Sequence, residues 1–260
     1  MTTPPAGQSH SSTPANPTAG ALLIATAPAP ATDEAEALLW RPLRGRPVAA
    51  WALDALSGHP DLEPLEHGAA GLERPQIAAV VVVARAARAL EAEALTSGLP
   101  APAPPFLVIA SEPDWRVSLA AGLAALPETC AWVIAHDAAR PLLLRETLAA
   151  GYAAARAMDG VALAGEPITD TLKRVEDGRV VETLPRARLR RLAPPLVIRR
   201  DLLARALAQP GAVGLAGIAL ASGARVAVYT PSAASPAITS EADWPVVEAW
   251  LAARQDAARP

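Results

Sequence analysis

The densest chemistry in the chain sits where an apolar run, Cys130-Ala-Trp-Val-Ile-Ala135, breaks off into His136-Asp-Ala-Ala-Arg-Pro141 and sets an imidazole, a carboxylate and a guanidinium within five positions. In an open α/β sheet the ligand crevice lies outside the carboxyl ends of the strands, so a strand that ends this way delivers an acid and a base to that crevice. Asp137 and Arg140 are therefore the first candidates for functional groups. The same residues also fit a plain structural role, with His136-Asp137 in a turn, Pro141 opening the next helix and Arg140 in solvent.

Such a strand needs neighbours, and the pattern on both sides supplies them. Ala21-Leu-Leu-Ile-Ala-Thr26 suits a first strand; Gln76 to Ala84, continuous and β-branched, reads as a fully buried one; Pro105 to Ala110 is a third. Helices are expected over Val48 to Ser57, Ala87 to Ser97, Trp115 to Leu126 and Leu143 to Met158. Strand and helix alternate four times with short connections, which predicts a parallel sheet with right-handed crossovers. The sheet is expected to centre on Val80 to Ala84, Phe106 to Ile109 and Ala131 to Ala135.

After Gly165 the rhythm changes. Ile168 to Val175 and Arg179 to Thr183 are β-prone runs around Glu176-Asp-Gly178, and Asp-Gly between two such runs signals a hairpin. An arm over residues 168–186 is expected to project from the domain, and an isolated two-stranded arm is only marginally stable. Its apolar positions Ile168, Val175, Val180 and Val181 are expected to dock on a second subunit, making a homodimer. The chain then returns through Ala193-Pro-Pro195 to a helix over Arg200 to Ala208, a strand over Arg225 to Tyr229 and a last helix over Glu241 to Ala253.

Composition narrows the class. The 260 residues can bury a substantial core. They are 52% hydrophobic, yet no apolar run approaches the roughly 20 residues of a membrane span. A net charge of -3 leaves no electrostatic footprint for nucleic acid. The one cysteine, Cys130, cannot form an internal disulfide, which suits a reducing cytoplasm. Residues 1–20, rich in Thr, Pro, Ala, Ser and Gly, are expected to be a disordered lead-in to a single domain over 21–254, with a frayed tail over 255–260. His59 and His67 have no Cys or second carboxylate at metal-ligand spacing, so no zinc site is expected there.

His136-Asp-Ala-Ala-Arg-Pro141, followed by Asp170-Thr-Leu-Lys-Arg174, Val181-Glu-Thr183 and Arg186, resembles the 2-C-methyl-D-erythritol 4-phosphate cytidylyltransferases of non-mevalonate isoprenoid synthesis. Gly45-Arg-Pro47, Ser118-Leu-Ala-Ala-Gly-Leu123, Arg199-Arg-Asp-Leu-Leu203 and Ile238-Thr239 extend the resemblance over roughly Ala21 to Leu251. It implies a Rossmann-like, three-layer nucleotidyltransferase domain with a dimer-forming arm. It also implies CTP with Mg²⁺, a sugar or alditol phosphate as second substrate, and release of pyrophosphate. Asp137 would then hold the sugar phosphate or the metal, Ser118 would contact the nucleotide, and Thr171 and Arg186 would reach the methylerythritol phosphate of the neighbouring subunit. Lys173 would join Asp137, Arg140, Thr171 and Arg186 in binding a sugar phosphate.

The chain departs from the family pattern on the nucleotide side. Ala27 to Thr32 stands where a Gly-x-Gly-x-Arg loop would wrap a triphosphate, and Leu38 stands at the position of a lysine. Prolines in that stretch remove backbone donors. Glu112-Pro113, Ala193 to Leu196, Val213-Gly214 and Ala237 replace further functional stretches. Arg41 and Arg44 are the candidate replacement cations. Three readings stay open: an active cytidylyltransferase with a rebuilt loop, an impaired homologue with a binding or regulatory role, and a nucleotidyltransferase for another sugar or alditol phosphate.

Overall fold

A computed structural model describes residues 18–26, 33–57, 72, 74–97, 99, 103–112, 114–212 and 214–257. The first strand, β1 (Ala19–Ala25), is buried along its whole length. It precedes helix α1 (Asp33–Trp40), a tight pair of two-residue strands, β2 (Pro42–Leu43) and β3 (Arg46–Pro47), and α2 (Val48–Ser57). The turn between β2 and β3 puts Arg44 and Gly45 at positive φ, 51° and 84°, a conformation in which the glycine carries no Cβ penalty. Next come β4 (Ile77–Ala84), α3 (Ala89–Ser97), β5 (Phe106–Ala110), α4 (Trp115–Ala125), β6 (Trp132–Asp137), α5 (Arg145–Ala157) and β7 (Val161–Pro167). Asp114 caps α4 by accepting from the Val117 amide at 2.9 Å. The arm is β8 (Lys173–Glu176) and β9 (Arg179–Thr183), and the chain closes with β10 (Arg190–Arg199), α6 (Arg200–Ala208), α7 (Gly214–Ala221), β11 (Ala227–Tyr229) and α8 (Trp244–Ala257).

Among the described residues, seven strands form the main sheet in the order β11-β7-β10-β6-β1-β4-β5. All neighbours run parallel except β10, which is antiparallel to both β6 and β7. Side chains alternate between the two faces of a strand, and β1 shows it: Leu23 faces a layer with Leu53 and Leu56 of α2 and Tyr152 of α5, whereas Leu22 and Ile24 face Leu119 of α4, Leu203 of α6 and Ile218 of α7. The fold is thus a three-layer α/β sandwich. A third cluster, including Leu38, Leu43, Trp51, Leu142, Ile238 and Leu251, fastens α1 and α8 together over one end of the sheet. Each such buried leucine is worth about 2–5 kcal/mol against alanine.

The continuous apolar strands and the helices between them lie where the sequence pattern places them, with several corrections. β5 is an edge strand and β4 lies next to it, so the sheet centres on β6, flanked by β10 and β1. The return through Ala193-Pro-Pro195 is itself part of a strand, β10, inserted between β6 and β7; the two prolines lack amide donors, and the ladder with β7 skips from Ala193 to Leu196. Helix α7 has no counterpart among the expected elements. β1 begins at Ala19, with the Thr18 hydroxyl donating to the Thr129 carbonyl at 2.9 Å, so the ordered domain starts before residue 21. Helix α5 begins at Arg145, two residues after the expected Leu143, and Pro141 does not open it. The rest of the lead-in, the Ala27–Thr32 loop, His59, His67, Pro113, Val213 and residues 258–260 lie outside the described residues.

The arm forms its own two-stranded sheet. Asp177 and Gly178 both have positive φ, 47° and 74°, the backbone of a type I′ hairpin turn. Val175 stands opposite Val180, and these two valines are 56% and 64% exposed. Among the described residues no helix is long and apolar enough to cross a membrane.

Candidate active site

The parallel strands β1, β4, β5 and β6 end at one edge of the sheet, where Thr26, Arg85, Ser111 and Asp137 follow their apolar runs. A cleft of about 260 Å³ opens there, walled by Trp115, Asp137, Arg140, Leu163, Pro194 and Leu215 among others. Larger hollows of about 430 and 520 Å³ lie at the opposite edge, beside the starts of β4 and β6. The smaller cleft is the better candidate, because it stands at the carboxyl ends of the strands and an acid and a guanidinium converge on it.

Asp137 is the last residue of β6 and only 8% exposed. One of its oxygens accepts the Ala139 amide at 2.9 Å, and its carbonyl accepts the Arg140 amide at 3.0 Å. Burial raises its pKa above the ordinary carboxylate value, against the Ala139 hydrogen bond and the nearby Arg140 charge, which lower it. Arg140 is not solvated as a surface arginine would be. One of its terminal nitrogens donates to the Ser235 carbonyl, and its Nε is buried without a partner among the described residues. His136 is wholly buried on the other face of β6. Its Nε2 lies 3.0 Å from the Arg140 carbonyl and its Nδ1 has no partner among the described residues; burial pushes its pKa down to about 4. The imidazole is therefore a neutral brace for the turn that carries Asp137 and Arg140.

Ser118, fully buried on α4, donates to the Glu112 carbonyl at 3.2 Å and lies 3.1 and 3.3 Å from the Thr26 and Ser111 hydroxyls. It ties the ends of β1 and β5 to α4 beneath the cleft edge. Thr171, Lys173 and Arg186 stand on the exposed arm and are not among the cleft's lining residues. Lys173 Nζ donates to the Thr183 hydroxyl at 2.6 Å and Arg186 donates to the Thr169 carbonyl. Within one chain, then, the structure brings together Asp137 and Arg140, holds Ser118 among the ends of β1 and β5 outside the cleft's lining, and leaves the three arm residues outside as well.

The candidate replacement cations have other occupations. Helix α1 ends at Trp40, and Arg41 pairs with Glu241 while lying 4.4 Å over the Trp244 ring. Arg44 sits at the β2–β3 turn. Leu38, where the resemblance implies a lysine, is 3% exposed and packs into the third core cluster. Sequence reasoning missed Arg85, which follows β4 and is bound by Asp33 at 3.0 Å and by the buried Glu36 at 3.1 Å. It also missed Glu166, at the C-terminal end of β7, although the signal that marks Asp137, an acid closing an apolar strand, is present there too. Among the described residues no group of three His, Cys, Asp or Glu side chains could by itself hold a metal ion.

Comparison with known proteins agrees with this fold. The family model for 2-C-methyl-D-erythritol 4-phosphate cytidylyltransferase matches residues 31–253. A protein of that name from Frankia casuarinae is 34% identical over 206 residues, 77% of this chain and 74% of the relative. Another from Dehalococcoides mccartyi is 39% identical over 97 residues, a match that covers 37% of this chain and 42% of that protein's length. The crystal structure of 4-diphosphocytidyl-2C-methyl-D-erythritol synthase from Anaerococcus prevotii superposes with a TM-score of 0.71 at 17% identity, over 90% of this chain and 98% of the other. The Thermus thermophilus 2-C-methyl-D-erythritol 4-phosphate cytidylyltransferase does so with 0.63 at 23% identity, over 89% and 98%. The structures share the fold, and the family model spans all but the start of the domain: the chain belongs to the 2-C-methyl-D-erythritol 4-phosphate cytidylyltransferase family.

Proposed function

We propose that this protein binds a sugar phosphate at Asp137 and Arg140 and transfers CMP to it from CTP, with 2-C-methyl-D-erythritol 4-phosphate as the substrate and pyrophosphate as the product, at a rate far below that of a relative with an intact nucleotide loop. The observation that carries the reading is the convergence of Asp137 and Arg140 on the cleft at the sheet edge in a chain of this family. A phosphate oxygen of the sugar attacks the α-phosphorus in line as the bond to pyrophosphate breaks, so the catalyst's work is to position two polyanions and offset their charge. Arg140 supplies the fixed charge. Asp137 fits a Mg²⁺ site of the kind completed by substrate phosphates, since one of its oxygens is taken by the Ala139 amide and the other has no partner among the described residues. When bound there, the ion would offset charge on the phosphates.

The nucleotide side supports reduced turnover. Leu38 faces the core where a lysine would reach a phosphate, and Arg41 is held by Glu241 and Trp244. Loss of one preorganised cation or donor costs about 10²- to 10³-fold in rate, so with two cations and a glycine loop replaced the deficit is on the order of 10⁴. The exposed valines of the arm support a homodimer in which Thr171, Lys173 and Arg186 serve the partner's cleft. A cytoplasmic setting suits the buried Cys130 thiol. Calorimetry with each substrate separately, then a pyrophosphate-release assay with Mg²⁺, tests the reading: the sugar phosphate binds, CTP binds weakly, and turnover is slow. Micromolar CTP affinity with turnover of about one per second would overturn the impairment and send the search for the cation to Arg41→Ala and Arg44→Ala. No binding of either substrate would favour a regulatory homologue.

A further inference from the structure

Glu166 is an acid that the proposed chemistry leaves unused, and its surroundings are too specific for a bystander. On β7, Leu163 faces the cleft, whereas Ala162 and Ala164 face the opposite core layer. By strand alternation Glu166 stands on that opposite face as well. It is 7% exposed, and a carboxylate so withdrawn from water persists only when paired and hydrogen-bonded. Arg191 lies directly across on β10 and gives Nε and one terminal nitrogen to a single Glu166 oxygen, at 2.9 and 2.5 Å. The other oxygen accepts the Ser235 amide at 3.4 Å.

Ser235 connects this pair to the cleft. Its N–H is held by Glu166, while its carbonyl accepts from Arg140. Three residues on, the Ile238 amide donates to the Ala139 carbonyl at 2.8 Å. The segment after β11 is thereby stitched at one end to β7 and at the other to the turn that carries the site's guanidinium. With one terminal nitrogen committed to Ser235, Arg140 keeps its buried Nε–H unpaired among the described residues, a donor that an oxyanion would satisfy.

The geometry points to Glu166 as a positioning residue: anchored by Arg191 and acting through Ser235, it sets where Arg140 presents its guanidinium to the substrate phosphate. The inference rests on the proposed sugar-phosphate site for its functional half and on the chain alone for its structural half, and the test separates them. Glu166→Leu removes the acceptor for Ser235; Glu166→Gln keeps an acceptor oxygen but removes the charge that Arg191 pairs with. In the full-length protein, hydrogen exchange of a peptide spanning 231–239 should quicken about tenfold in Glu166→Leu while exchange in β6 stays unchanged. KM for the sugar phosphate should rise about tenfold with kcat within about threefold of the parent. Added to Arg140→Ala, Glu166→Leu should raise KM no further, because the two act as one unit. An unchanged exchange rate, or independent multiplication of the two KM effects, overturns the inference. Should Glu166→Leu fail to fold, Glu166→Gln decides: a raised KM at a normal melting temperature supports the role, and an unchanged KM refutes it. A parent protein that binds no sugar phosphate refutes the functional reading instead, and the exchange rate still decides whether Glu166 holds the segment.

Discussion

Acidification from pH 7 towards pH 4 should draw on the buried imidazole of His136 more than on any surface group. The ring is wholly buried, its Nε2–H is spent on the Arg140 carbonyl, and no described acceptor stands at Nδ1 for a second proton. Burial therefore depresses its pKa from 6.5 to about 4. Unfolding exposes the ring to water and restores the ordinary value, so between pH 6.5 and about 4 the unfolded chain takes up a proton that the folded one refuses. Stability is complete above the unfolded pKa and falls as the pH drops through that window. At about 1.36 kcal/mol per unit, a displacement of about 2.5 units is worth roughly 3 kcal/mol. The assay is urea unfolding at pH 7, 6, 5 and 4 for the parent and for His136→Gln, which keeps a donor but cannot titrate. Carboxylates elsewhere, such as Asp159 held down at about 2 by Arg225, titrate alike in both proteins and cancel in the difference. The parent's stability relative to the variant should shrink by roughly 3 kcal/mol from pH 7 to about 4. Parallel curves would refute the reasoning.

Asp137→Asn should raise the melting temperature at pH 7, because the fold carries a buried carboxylate whose pKa is raised, and the gain should vanish once the pH falls below the ordinary carboxylate range; turnover should be lost at every pH. Leu38→Lys should lower stability by about 3 kcal/mol or more without improving CTP affinity, since the side chain points into the third core cluster; tighter CTP binding in calorimetry would contradict that placement. Val180→Glu, on the exposed face of the arm, should shift the protein from dimer to monomer in light scattering while leaving the melting temperature of the domain within a few degrees. An unchanged mass would remove the arm from the interface.

Much of the site was legible because it is written locally. The β-branched run of β4 and the apolar run of β6 demand burial on both faces whatever surrounds them. An aspartate that closes such a run must sit at the strand's carboxyl end, so the places of Asp137 and of the turn to Arg140 follow from residue order alone. Asp177-Gly178 announced its hairpin because the backbone it needs is costly for most other residues. What remained hidden depends on pairings between distant parts of the chain. Pro194-Pro195 masked β10, whose place between β6 and β7 comes from ladder pairs with residues 23 to 67 positions earlier. The edge position of β5 follows from the order of crossovers, which no strand encodes in its own residues. Arg41 met Glu241 across 200 residues, Arg140 met Ser235 across 95, and Glu166 met Arg191 across 25. Residue type and local period determined the parallel strands β1, β4, β5 and β6 and the place of Asp137 at the end of one of them; the strand order decided who stands beside whom, because an ion pair or a hydrogen bond forms only between groups that the completed sheet brings within about 3 Å.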